Sequence, residues 1–82
     1  MFMKSYTYRV IIEQDGDRFH GYVPALSGCH TFGDTIEETK TNLNEAIQVY
    51  IEGLGALGEV VPEEKSFESF ETVIINSKPL YA

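Results

Sequence analysis

Eighty-two residues, 43% of them hydrophobic and 23% charged, fit one small globular domain over 1–82 and leave no room for a second. Six basic against thirteen acidic residues give a net charge of −7, which disfavours a broad nucleic-acid interface or docking on an anionic membrane. The single cysteine, Cys29, excludes an internal disulfide framework, and no apolar run reaches the roughly 20 residues of a membrane span.

Tyr6, Tyr8, Val10 and Ile12 alternate with Thr7, Arg9, Ile11 and Glu13, the period-two pattern of a half-buried strand. Gln14-Asp15-Gly16-Asp17 follows as a hairpin turn, because glycine accepts positive φ without a Cβ clash. Arg18 to Val23 returns as a second strand and stops near Pro24, which has no N–H for a ladder. Ser27-Gly28 turns the chain again into a short third strand, Cys29 to Phe32.

Thr35 and Glu38 form a capping box that opens a helix, and Glu37 and Glu38 place negative charge at its N-terminal dipole. Ile36, Leu43, Ala46, Ile47, Tyr50, Ile51 and Leu54 make one apolar stripe. Gly53, Gly55 and Gly58 end the helix between about residues 52 and 58. A polar loop, Glu59 to Ser66, precedes a final strand at Phe70 to Ile75, and Ser77-Lys78-Pro79 closes the chain. The expected fold class is α+β, a β-β-β-α-β two-layer sandwich.

Residues 1–8 hold one lysine and no apolar stretch of signal-peptide length, so the expected location is cytoplasmic. A chain of this size buries about 60% of its unfolded surface, and a homo-oligomer, dimer or tetramer, is expected to supplement so modest a core.

Three kinds of chemistry can be weighed. His20, Cys29 and His30 are the only soft or imidazole ligands, and the adjacent Cys29 and His30 would point to opposite faces of a strand, so no metal site is expected. Cys29 has little positive charge nearby to favour a thiolate nucleophile. Asp15, Asp17, Glu37 and Glu38 each have a turn or capping explanation, which argues against a two-metal nuclease. Gly53-Leu54-Gly55-Ala56-Leu57-Gly58 follows a helix rather than opening one, so it is no phosphate loop. No cofactor and no catalytic residue is expected.

The run Phe19-His20-Gly21-Tyr22-Val23-Pro24-Ala25-Leu26-Ser27-Gly28-Cys29-His30-Thr31-Phe32-Gly33-Asp34-Thr35, continued by Ile36-Glu37-Glu38 and Asn42-Leu43-Asn44-Glu45-Ala46-Ile47, resembles the HicB-like antitoxin family. Its pattern is an aromatic-x-V-P-x-L-P-G-C-x-T-x-G-x-T segment leading into a helix, and Ser27 stands here in place of its second proline. The resemblance covers about the first 60 residues. It implies a partial RNase H-like fold without the catalytic carboxylates, and an antitoxin that occludes HicA, a small basic RNA-cleaving toxin. Many members add a C-terminal DNA-binding module, for which a chain ending at Ala82 has no room.

The motif residues Tyr22, Pro24, Leu26, Gly28, Cys29, Thr31, Gly33, Thr35, Glu38 and Ala46 are expected to be mainly structural, with Gly28 and Gly33 serving turns. Residues 1–33 balance three basic against three acidic groups, so the whole excess of −7 falls on residues 34–82. Glu59, Glu63, Glu64, Glu68 and Glu71 are therefore the expected contacts for a basic partner, beside the free edge of the last strand. The other functions open to this chain are a self-associating scaffold or small-ligand binder and a residual RNase H-like hydrolase using Asp15 and Asp17.

Overall fold

Three antiparallel strands and one helix form in the computed structural model, which describes residues 3–76. Strand β1 (Ile11–Asp15) pairs with β2 (Arg18–Tyr22) from Ile11 opposite Tyr22 to Asp15 opposite Arg18, leaving Gly16-Asp17 as a two-residue loop. Gly16 has φ +65° and no other residue of the loop has positive φ, the pattern of a type II′ turn whose twist suits the hairpin. β2 pairs in turn with β3 (His30–Gly33), so the sheet order is β1-β2-β3.

The loop between β2 and β3 is two stacked turns. Leu26 N–H donates to the Val23 carbonyl and Cys29 N–H to the Leu26 carbonyl, each at 3.0 Å, while Val23 N–H donates to Cys29 at 3.1 Å. Gly28 supplies the left-handed residue this path needs, with φ +79°. The loop presses Val23, Leu26 and Cys29 inward against Leu43, and Tyr8, Val10, Ala46, Ile47 and Tyr50 pack around them. Leu26 and Leu43 are each 1% exposed, and full burial of one such side chain is worth roughly 1.5–3 kcal/mol.

Helix α1 (Ile36–Ala56) starts where its cap dictates: Thr35 Oγ1 accepts the Glu38 N–H at 3.0 Å. The Glu38 carboxylate reaches back to the Asp34 N–H, at 3.4 Å, one residue before the cap. At the other end Glu59 N–H donates to Leu54 at 2.9 Å and Gly58 N–H to Gly55 at 3.1 Å, with Gly58 at φ +70°, a Schellman closure.

The helix lies on one face of the sheet, chiefly over β3 and β2. Its approach is closest at Thr39, which is wholly buried and returns its hydroxyl to the Thr35 carbonyl at 2.7 Å. A Cβ on Gly33 would lie 2.5 Å from Thr39 Oγ1 and 2.7 Å from Thr39 N. Gly33 is thus required by close packing and not by a turn, correcting the sequence-based expectation. Ile36 differs as well: it is 49% exposed at the outer start of the helix, and Thr39 takes the core position of the first turns.

Two expected strands change. Residues 6–10 precede β1 without joining the ladder, because β2 ends at Tyr22 and Pro24 offers no N–H opposite them. Tyr8 and Val10 still bury against the core. The final strand expected at Phe70 to Ile75 does not form: 57–76 carries no regular structure, and among the described residues no neighbouring strand lies beside 70–75. The β-β-β-α-β order is therefore corrected to β-β-β-α within the described residues. Ser77-Lys78-Pro79 lies outside them.

Candidate partner-binding surfaces

One face of the sheet lies under the helix and the other is open. Strand alternation puts Glu13, Arg18, His20, Tyr22, His30 and Phe32 together on the open face. His20 Nε2 lies 3.2 Å from His30 Nδ1, and the His20 ring lies over Phe32 and Tyr22 with centroids 4.7 and 5.6 Å away. Arg18 sits 5.8 Å from the centre of the Phe32 ring and binds the Asp34 carboxylate at 3.1 Å. Tyr22 donates its hydroxyl to Glu13 at 3.0 Å; that bond, foremost, pushes the phenol pKa up. The result is a small aromatic and imidazole platform with a cation at one corner and a carboxylate at the other. It was readable as the alternation Arg18, His20, Tyr22 once strands were assigned, but sequence reasoning weighed His20 and His30 only as metal ligands and Tyr22 as a structural motif residue.

The second surface is the segment after the helix, 57–76. It carries Glu59, Glu63, Glu64, Glu68 and Glu71 against the one cation Lys65. Its base is tied to the chain before β1. Tyr8 donates its hydroxyl to the Pro62 carbonyl at 2.6 Å, and the backbone N–H of Arg9 donates to Glu64 Oε1 at 2.8 Å. Glu64 also accepts from Ser66, by its N–H at 3.2 Å and its hydroxyl at 2.8 Å. The Arg9 amide first, and the Ser66 donors after it, hold the Glu64 carboxyl below the usual carboxylate range. Glu68 pairs with the Arg9 guanidinium at 3.5 Å, and Glu71 accepts from the Ser69 hydroxyl at 3.1 Å. Glu59 and Glu63 are exposed. Of the five expected contact carboxylates, Glu64 and Glu68 are thus engaged with Arg9.

Among the described residues no three His, Cys, Asp or Glu side chains converge to hold a metal ion. Cys29 faces the core while His30 is exposed, and burial pushes the Cys29 thiol up, away from a thiolate. Asp15 and Asp17 flank the hairpin glycine, exposed. No described helix is long and apolar enough to cross a membrane. Among the motif residues, Leu26, Cys29 and Gly33 are buried; Thr35 and Glu38 cap the helix.

Residues 8–78 match the family described as HicB_like antitoxin of bacterial toxin-antitoxin system. The chain belongs to the HicB-like antitoxin family. A UPF0150 protein of Synechocystis sp. is 47% identical over 60 residues, covering 72% of this chain and 76% of the relative. Another, of Thermoplasma acidophilum, is 44% identical over 62 residues, covering 74% of this chain and 90% of the relative. Among solved structures, a chain of the HicA3 and HicB3 toxin-antitoxin complex is 33% identical with TM-score 0.63, over 72% of this chain and 70% of that one. The N-terminal domain of the Burkholderia pseudomallei antitoxin HicB is also 33% identical, with TM-score 0.59, over 73% and 69%. This HicB-like chain thus shares its three-stranded sheet and helix with HicB structures.

Proposed function

We propose that the protein is a non-enzymatic antitoxin that binds and occludes a small basic RNA-cleaving toxin of the HicA kind. Membership of the HicB-like family supports the role, and the likeness to a chain of a toxin-antitoxin complex supports a protein partner. The observation that carries the mode of binding is the acidic segment 57–76, with five carboxylates and one lysine, beside a domain whose first 33 residues carry no net charge. A basic partner is drawn to that side of the molecule, and charge complementarity acts mainly on the rate and specificity of encounter. The same charge opposes direct contact with nucleic acid phosphates. The protein acts in the cytoplasm as a homo-oligomer, and the RNase H-like resemblance is one of shape without catalysis.

The test mixes the full chain with a HicA-like toxin and follows RNA cleavage. Cleavage should stop at a one-to-one ratio, and no complex at micromolar concentration would sink the proposal. Reversal of charge at Glu59 and Glu63 should slow association more than reversal at Asp15 and Asp17. Glu59 and Glu63 are the cleaner sites, because replacing Glu64 also removes the acceptor of the Arg9 N–H.

A further inference from the structure

The segment 70–75 is exposed throughout and carries no regular structure, although its sequence, Phe70-Glu71-Thr72-Val73-Ile74-Ile75, has the β-branched and aromatic composition of a strand. Phe67 is 100% exposed, Phe70 93% and Ile74 95%, with Val73 and Ile75 also open. The radius of gyration is 17.9 Å, where a compact chain of this length has about 12 Å, so the segment projects well away from its own domain.

The sheet has a matching vacancy. Val23 N–H bonds to Cys29 across β2 and β3, so the odd-numbered residues of β2 turn their backbone groups toward β3. The even-numbered ones then bond to β1, where they face Ile11, Glu13 and Asp15. That leaves the N–H and C=O groups of Val10, Ile12 and Gln14 pointing outward along the edge of β1. The outer edge of β3 is already occupied in part, because Asn42 from the helix donates to the Phe32 carbonyl at 2.9 Å. The free edge is β1.

We infer that residues 70–75 of one copy add as a strand to the β1 edge of a second copy, reciprocally, closing a two-fold dimer. This specifies the self-association taken up above. Occupation by the same chain is disfavoured by where the segment is tied. The Arg9 N–H belongs to the inward row of β1, and it holds Glu64 on the side where β2 has ended. To reach its own outer edge the chain would have to pass round residues 3–8. Occupation by a second copy is favoured by stoichiometry, since each chain offers one unpaired strand and one unpaired edge, and a two-fold exchange satisfies all four. A foreign partner would satisfy one of the two features and leave the other. Six residues of strand span roughly 20 Å, enough to cover the five residues of β1.

The test is sedimentation and light scattering of the full chain with two double variants, F70D/I74D and V73D/I75D, which place charge on each face of the added strand. Wild type should dimerise at micromolar concentration, and both variants should weaken dimerisation by roughly tenfold or more while helix content is unchanged. Amide exchange should slow at Val10, Ile12 and Gln14 together with 71–75, in step with dimer population. Each of four outcomes would overturn the exchange. The first is a monomer at every concentration, which would also remove the self-association reading. The second is a dimer untouched by both variants, which would keep self-association and move its interface elsewhere. The third is the same amide protection in a monomer, which would mean pairing within one chain. The last is variants that dimerise normally but lose the toxin, which would assign the segment to that partner.

Discussion

Residues 8–56 and residues 57–76 hold apolar side chains in comparable abundance, yet one stretch buries them and the other displays them. In the first, Val23, Leu26, Cys29 and Leu43 close into a core because three strands, a tight loop and one helix arrive in register. In the second, Phe67, Phe70, Val73, Ile74 and Ile75 lie open with no strand beside them. Hydrophobicity and β-propensity are the same raw material in each. What differs is a neighbour at ladder distance, since a lone strand cannot satisfy its own backbone and gains nothing from its pleat.

The widest contrast comes from truncating one apolar side chain in each region. Leu43→Ala should cost about 3 kcal/mol in urea unfolding, through lost transfer energy and a cavity. Ile74→Ala in dilute, monomeric protein should stay within about 0.5 kcal/mol of wild type. Equal losses would erase the distinction. Gly33→Ala comes next, at roughly 1–3 kcal/mol, because its Cβ would meet Thr39 N at 2.7 Å and Thr39 Cα at 3.0 Å. Adding Thr39→Ser should not rescue it, since the conflicting atoms include backbone. Thr35→Ala should lose about 1 kcal/mol by removing the helix cap, and should leave the C-terminal segment unmoved in its NMR shifts.

The smallest effect lies at the joint between the regions. Glu64 has a depressed carboxyl pKa because it accepts from Arg9 N–H and from Ser66. Its contribution is complete above the ordinary pKa of 4.5 and is lost as pH falls through the lower folded value. The Arg9 amide resonance should therefore shift below about pH 4.5 before the core unfolds, and Glu64→Gln should flatten that titration. A core that titrates together with the Arg9 amide would show that the two regions are not separable.

Local chemistry made much of the first region legible. Gly16 in the hairpin, Pro24 at the end of β2 and the pairing of Thr35 with Glu38 each act over four residues or fewer, so spacing alone reveals them. The opposite orientation of Cys29 and His30 follows from strand alternation in the same way. Thr39 escaped an apolar-stripe reading because it is polar, and only the approach of Gly21 and Gly33 explains why a small residue with a self-satisfied hydroxyl belongs there. The tie from Arg9 to Glu64 joins residues 55 apart in sequence, and nothing near either one announces the other. The acidic excess was legible as a number on 34–82, but which carboxylates Arg9 engages was not.

The sequence by itself determined the turns, the capped helix, the strand order of the meander and the family, because these rest on local backbone preferences and on a contiguous motif. Only the tertiary structure decided that Gly33 answers to a close approach, that the open sheet face gathers His20, Tyr22, His30 and Phe32, and that Phe70 to Ile75 pairs with no strand among the described residues. The physical reason is common to all three. Each depends on what lies across a gap in space, and a pattern along the chain records the readiness to pair without recording the partner.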